Sequence, residues 1–62
     1  MSSIKWWAYL HTNGNVLVKR YFDRIDIIEA NESPFVAKAI GPFDADNAND
    51  AQVKANEALL NL

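Results

Sequence analysis

The sequence predicts a small α+β domain, residues 1–62, with the order β-β-α-β-α. A three-stranded sheet carries a long C-terminal helix packed on one face. Three observations predict it. Two apolar, aromatic runs flank Thr12-Asn13-Gly14-Asn15, and Asn-Gly between such runs is a strong hairpin signal. A third apolar run, 35–40, lies between Pro34 and Gly41-Pro42, residues that punctuate local structure. Near the C-terminus, alanines and leucines recur at three- and four-residue spacing, the pattern of one helix face.

The first strand is read over 4–11 and the second over 16–22, both rich in β-branched and aromatic residues. Two registers are open. A two-residue type I′ loop at Asn13-Gly14 would pair Leu10 with Leu17 and mix both faces. A type I turn with Gly14 as a G1 bulge pairs Leu10 with Val16, Ala8 with Val18 and Ile4 with Phe22. A one-residue slip moves a strand's side chains to the other face. The bulged register collects Ile4, Trp6, Ala8, Leu10, Val16, Val18 and Phe22 on one side, with Arg20 the only charge. Each large side chain contributes about 1.5–3 kcal/mol when fully buried, so this register is preferred. The other side holds Lys5, Trp7, Tyr9, His11, Leu17, Lys19 and Tyr21 and is amphipathic.

Residues 23–30 read either as a strand or as about two turns of helix. Asp23 as the cap, Asp26 in the first turn and Asn31 as a left-handed stop favour the helix, in which Ile25 and Ile28 share a face. Pro34 then forces Ser33 into an extended conformation. The third strand, 35–40, alternates poorly: Phe35, Ala37 and Ala39 on one side, Val36, Lys38 and Ile40 on the other. Gly41-Pro42 is expected to end it, and Phe43 to plug the end of the core. The last helix is expected to start with Asp46 or Asn47 as its cap. Ala48, Ala51, Ala55, Ala58, Leu59 and Leu62 form its buried stripe. The small residues let it sit close to the sheet. Val53 and Leu60 fall on the far side, either as isolated exposed residues or as a helix–helix contact between copies. The short helix joins the core face or stays apart, which leaves the amphipathic sheet face open or covered by a partner.

A chain of 62 residues buries only about 60% of its unfolded surface and is marginal alone. It has no cysteine and one histidine, so disulfide staples and a cysteine zinc site are excluded. Self-association is therefore expected. The net charge is −2, but residues 1–22 carry Lys5, Lys19 and Arg20 and no acid, while all eight acids lie beyond. No apolar run approaches the ~20 residues of a membrane span. The N-terminus lacks the basic start and long apolar stretch of a signal peptide. A cytoplasmic protein is expected.

No catalytic motif is present. Ser33, His11 and an aspartate can be combined on paper, but no spacing brings them together. Asp23/Asp26/Glu29 and Asp44/Asp46/Asp50 resemble metal clusters, yet the second lacks the glycine and glutamate of an EF-hand loop. Helix capping accounts for both. With only Gly14 and Gly41 there is no phosphate-cradling loop. The chain is expected to be non-enzymatic, with no cofactor and no metal. The aromatic face Lys5, Trp7, Tyr9, His11, Leu17, Lys19 and Tyr21 has three readings. It is covered by the short helix or the termini; it binds a protein, host-derived or a second copy in a homodimer; or it stacks single-stranded nucleic acid. The acidic remainder weighs against the last, which is kept as the alternative to protein binding.

The runs 8–14 and 18–23, with Glu32-Ser33-Pro34-Phe35-Val36 and Gly41-Pro42-Phe43, resemble small uncharacterised proteins encoded by tailed bacteriophages. That resemblance spans most of the chain and transfers no catalytic residue. It implies a phage-type accessory or host-directed viral protein acting in the bacterial cytoplasm.

Overall fold

The computed structural model describes residues 4–60. Their order is β1 (Ile4–His11), β2 (Val16–Arg20), α1 (Ile25–Glu32), β3 (Val36–Ala45) and α2 (Ala48–Leu60). This is the expected β-β-α-β-α fold, with β1 central and the sheet order β2-β1-β3.

The hairpin takes the bulged register: Leu10 pairs with Val16, Ala8 with Val18 and Trp6 with Arg20. The Gly14 N–H donates to the His11 carbonyl at 2.9 Å, and His11 N–H donates to Asn15 at 2.8 Å. Gly14 has φ +95°, which a residue with a Cβ rarely adopts. The expected Ile4–Phe22 pair does not form. β2 stops at Arg20, Ile4 pairs with Ala45 of β3, and Phe22 is 80% exposed rather than in the core.

β3 runs through Gly41-Pro42 instead of ending there. Trp6 pairs with Phe43 and Ala8 with Ile40, so Gly41 and Pro42 together oppose Trp7. The Gly41–Pro42 peptide is cis, and Gly41 has φ +137°. A second irregularity lies between the Leu10–Lys38 and His11–Val36 pairs, where Ala37 is the extra residue. Each bulge resets the two-residue alternation. Val36 and Ala39 therefore join the Trp7 side, while Lys38, Ile40 and Phe43 join the Trp6 side. Two bulges in one strand explain why its sequence alternates so poorly.

α2 covers the Trp6 side. Ala51, Ala55 and Leu59 are buried against Trp6, Ala8 and Ala45, with Val18, Ile40 and Phe43 packed around them. Phe43 thus fills the core as expected, though from within the strand. Ala48 and Ala58 of the predicted stripe are exposed, and Leu62 lies outside the described residues. Asn47 is the cap: its Oδ1 accepts the Asp50 N–H at 2.8 Å, and the Asp50 carboxylate accepts the Asp46 N–H at 3.2 Å. That reciprocity is close to a capping box. The Trp6 Nε1–H donates to the Ala45 carbonyl at 3.1 Å, and Gln52 Nε2 donates to the Val16 carbonyl at 3.0 Å. The first bond ties β1 to the end of β3, and the second ties α2 to β2.

α1 lies on the opposite face, in keeping with the reading in which the short helix covers the amphipathic side and not with the one that places it on the core face. β2 and β3 both run antiparallel to β1 and hence parallel to each other. A helical crossover between parallel strands is nearly always right-handed, and that hand puts α1 over the Trp7 side. The Asp23 carboxylate accepts the Ile25 N–H at 3.1 Å, so Asp23 serves the helix start one position ahead of Arg24. Asn31 is no left-handed stop, because among the described residues only glycines have positive φ. The helix continues through Glu32 and ends on extended Ser33 before Pro34, as the restriction before proline requires. Asn31 turns its amide outward, and its Oδ1 accepts the Ala39 N–H of β3 at 3.3 Å. Ile25 and Ile28 do share a face, but it faces outward: they are 47% and 44% exposed, and α1 buries only Ala30.

Candidate functional site

Between α1 and the hairpin the Trp7 face opens into a cleft of about 630 Å³. Its floor is Trp7, Tyr9 and His11 of β1. One wall is the β2 edge with Lys19, Arg20 and then Phe22; the other is α1 with Asp26, Glu29 and Ala30. Ser33, Phe35 and Val36 close one end.

The floor is fixed by strand pairing. Trp7 sits opposite Lys19 on one side and against the Gly41-Pro42 bulge on the other. A Cβ on Gly41 would lie 2.8 Å from the Trp7 Cβ, so only glycine lets β3 approach this closely. The Trp7 and Tyr9 rings are tilted by 31° with centroids 5.5 Å apart. Trp7 was expected to be accessible and Trp6 shielded. In the single chain both are buried, at 6% and 7%. The expectation for Trp7 is therefore corrected: with Gly41 close against its Cβ and the Tyr9 ring beside it, it is shielded in the single chain and cannot serve as an exposed anchor.

His11 is half-buried, and its ring stacks on Phe35 with centroids 6.3 Å apart. Its Nδ1 accepts the Asn13 N–H at 3.1 Å, an assignment drawn from the hydrogen-bond geometry that leaves Nε2 as the protonated nitrogen of the neutral ring. Ser33, which the sequence alone could not bring near His11, lines the same cleft as His11 and Asp26. They do not form a triad. The Ser33 Oγ accepts the Phe35 N–H at 3.2 Å, and His11 Nδ1 is bonded to the turn rather than to a carboxylate, which a triad requires.

The predicted face is split. Tyr9, His11 and Lys19 line the cleft. Lys5 lies at the far end of the sheet and pairs with Asp44 at 3.0 Å. Tyr21 is half-buried beside it, its N–H donating to the Lys5 carbonyl. Leu17 is 38% exposed opposite Tyr9, outside the cleft lining. Arg20, placed on the Trp6 side by register, holds its guanidinium 5.7 Å from the Trp6 ring and 5.9 Å from the Phe22 ring. That is within the range of cation–π attraction. Sequence reasoning missed Phe22 and Phe35 as rim residues and Asp26 and Glu29 as a wall. Phe22 follows a strand end that alternation alone cannot locate. The carboxylates reach the cleft only because α1 crosses this face.

One member of each acidic cluster serves a helix start, while Asp26 and Glu29 line the cleft and Asp44 pairs with Lys5. Asp23 and Asp50 accept backbone N–H groups as above, and Asp50 also meets Lys54 at 3.4 Å. Among the described residues no group of three or more His, Asp or Glu side chains is placed to hold a metal ion. No described helix is long and apolar enough to cross a membrane. Val53 and Leu60 are 50% and 56% exposed on the outer side of α2. Comparison with protein-family models, with curated proteins and with solved structures finds no match.

Proposed function

We propose that this is a non-enzymatic protein-binding module whose docking site is the cleft between α1 and the hairpin. One observation carries the reading: the two most exposed large apolar side chains among the described residues, Phe22 and Phe35, line this cleft. Phe22 and Phe35 on the rims are 80% and 64% exposed, and Ile25 and Ile28 continue the surface over α1. Five of the eight buried hydrophobic residues among those described, by contrast, are alanines. Scattered exposed apolar residues are ordinary, but exposed aromatics lining one concave aromatic surface are a common form of an interface. Tyr9, Phe22 and Phe35 are the anchors on this reading, and Lys19, Asp26 and Glu29 set the orientation. The likeness to phage-encoded proteins adds that the partner belongs to a bacterial cytoplasm.

Single-stranded nucleic acid is the weaker reading. Buried Trp7 offers no stacking face, and phosphates entering the cleft would meet Asp26 and Glu29. Two measurements separate the readings. Immobilised full chain is expected to retain a protein, host-derived or a free copy of this chain, with retention lost for Phe22→Ser and Phe35→Ser and kept for Leu60→Ser. Equal retention by all three variants would overturn the proposal. A fluorescent oligonucleotide titrated at low salt is expected to show no binding; saturable, salt-sensitive binding would favour the alternative.

A further inference from the structure

The geometry points to a second copy of this chain as the occupant of the cleft, in a two-fold dimer where each copy's Phe22 fills the other's cleft. This rests on the reading of the cleft as a protein-binding site and names its partner. The argument is charge complementarity. The cleft is polar from side to side, with Lys19 on the β2 wall and Asp26 and Glu29 on the α1 wall. The walls lie on opposite sides of β1, because β2 and β3 flank it and α1 packs on β3. Residues 23–32 hold Asp23, Asp26, Glu29 and Glu32 against Arg24 alone. No ion pair crosses the cleft among those the structure shows, where Lys5 meets Asp44 and Lys54 meets Asp50.

An isologous dimer brings the same patch of each copy together. If the two-fold axis ran across the cleft, Lys19 would face Lys19 and α1 would face α1. If it runs along the cleft, each Lys19 faces the other copy's Asp26 and Glu29. Only the second arrangement is attractive, so the charges choose the axis. Phe22 stands on the β2 rim beside Lys19 and projects far from its own core. Along that axis it is carried over the partner's α1 wall and floor, where Tyr9 is half-buried. Aromatic anchors seated in a desolvated pocket are the usual source of interface affinity.

The test is the mass of the full chain by sedimentation equilibrium, from micromolar to millimolar concentration, with circular dichroism to confirm that each variant is folded. A dimer is expected. Lys19→Glu and Glu29→Lys are each expected to weaken it about tenfold, since every dimer contains two copies of each contact and each becomes repulsive. The double variant Lys19→Glu/Glu29→Lys is expected to recover most of the loss. Phe22→Ser is expected to leave a folded monomer. A monomer at every concentration overturns the inference, and so does a dimer insensitive to Phe22→Ser, which would run through another face such as Val53 and Leu60. A double variant no stronger than the single ones overturns the axis and the pairing with it. The underlying reading fails separately: a monomer that still retains a foreign protein through Phe22 and Phe35 preserves the cleft as a binding site, and loss of both disposes of both.

Discussion

The two faces of the sheet are covered in opposite ways. On the Trp6 face a thirteen-residue helix lays Ala51, Ala55 and Leu59 flat against the strands, and a side-chain bond from Gln52 to β2 fastens the layers. On the Trp7 face an eight-residue helix buries little beyond Ala30, touches mainly β3, and leaves a cleft over β1. The first face uses small residues to bring backbones together; the second uses large ones and leaves them in water. Burial is concentrated on the α2 side, and the recognition proposed for this chain falls on the side where large side chains stay exposed.

That contrast can be broken most severely from the α2 side. Leu59→Ala removes the largest fully buried side chain and is expected to cost about 2–5 kcal/mol, read by urea denaturation. In a chain this short that is a large share of the total stability. Gly41→Ala tests the other face: a positive φ and a Cβ forced against Trp7 are expected to cost about 1–3 kcal/mol. Gly14→Ala meets open space and is expected to cost less, so the difference reports the closeness of Gly41 to Trp7. Asn47→Ala removes the α2 cap and is expected to lower stability by about 1 kcal/mol. Phe22→Ser and Phe35→Ser are expected to change monomer stability by no more than about 0.5 kcal/mol while abolishing association. If either costs as much as Leu59→Ala, the two faces do not differ as described. Smallest of all, Lys5→Ala breaks an exposed ion pair with Asp44 and is expected to cost between about 0 and 1 kcal/mol, less at high salt.

The hairpin register was legible because Gly14 and the sorting of side chains agreed on one pairing. The α2 cap and the buried Ala51, Ala55 and Leu59 were legible because a helix stripe is a local pattern. Trp7 was not. Its burial depends on α1 crossing to that face and on Gly41-Pro42 bulging toward it, and neither is written near residue 7. The crossover hand was the usable signal: once 36–45 is placed beside β1, parallel β2 and β3 fix the face for α1. Phe22 was misread because alternation was extended past the last pair of β2. The length of β3 was misread because a glycine–proline pair was taken as a stop where it forms a bulge.

The Asn31 amide has a consequence for how copies of this chain accumulate. An outer strand with bare N–H groups is a template on which further strands can add without limit. Here the Ala39 N–H is already taken by the Asn31 carbonyl, and α1 lies along the same strand. Growth of ribbons from the β3 side is discouraged, so the dimer proposed through the cleft would have no easy route to extend along that edge.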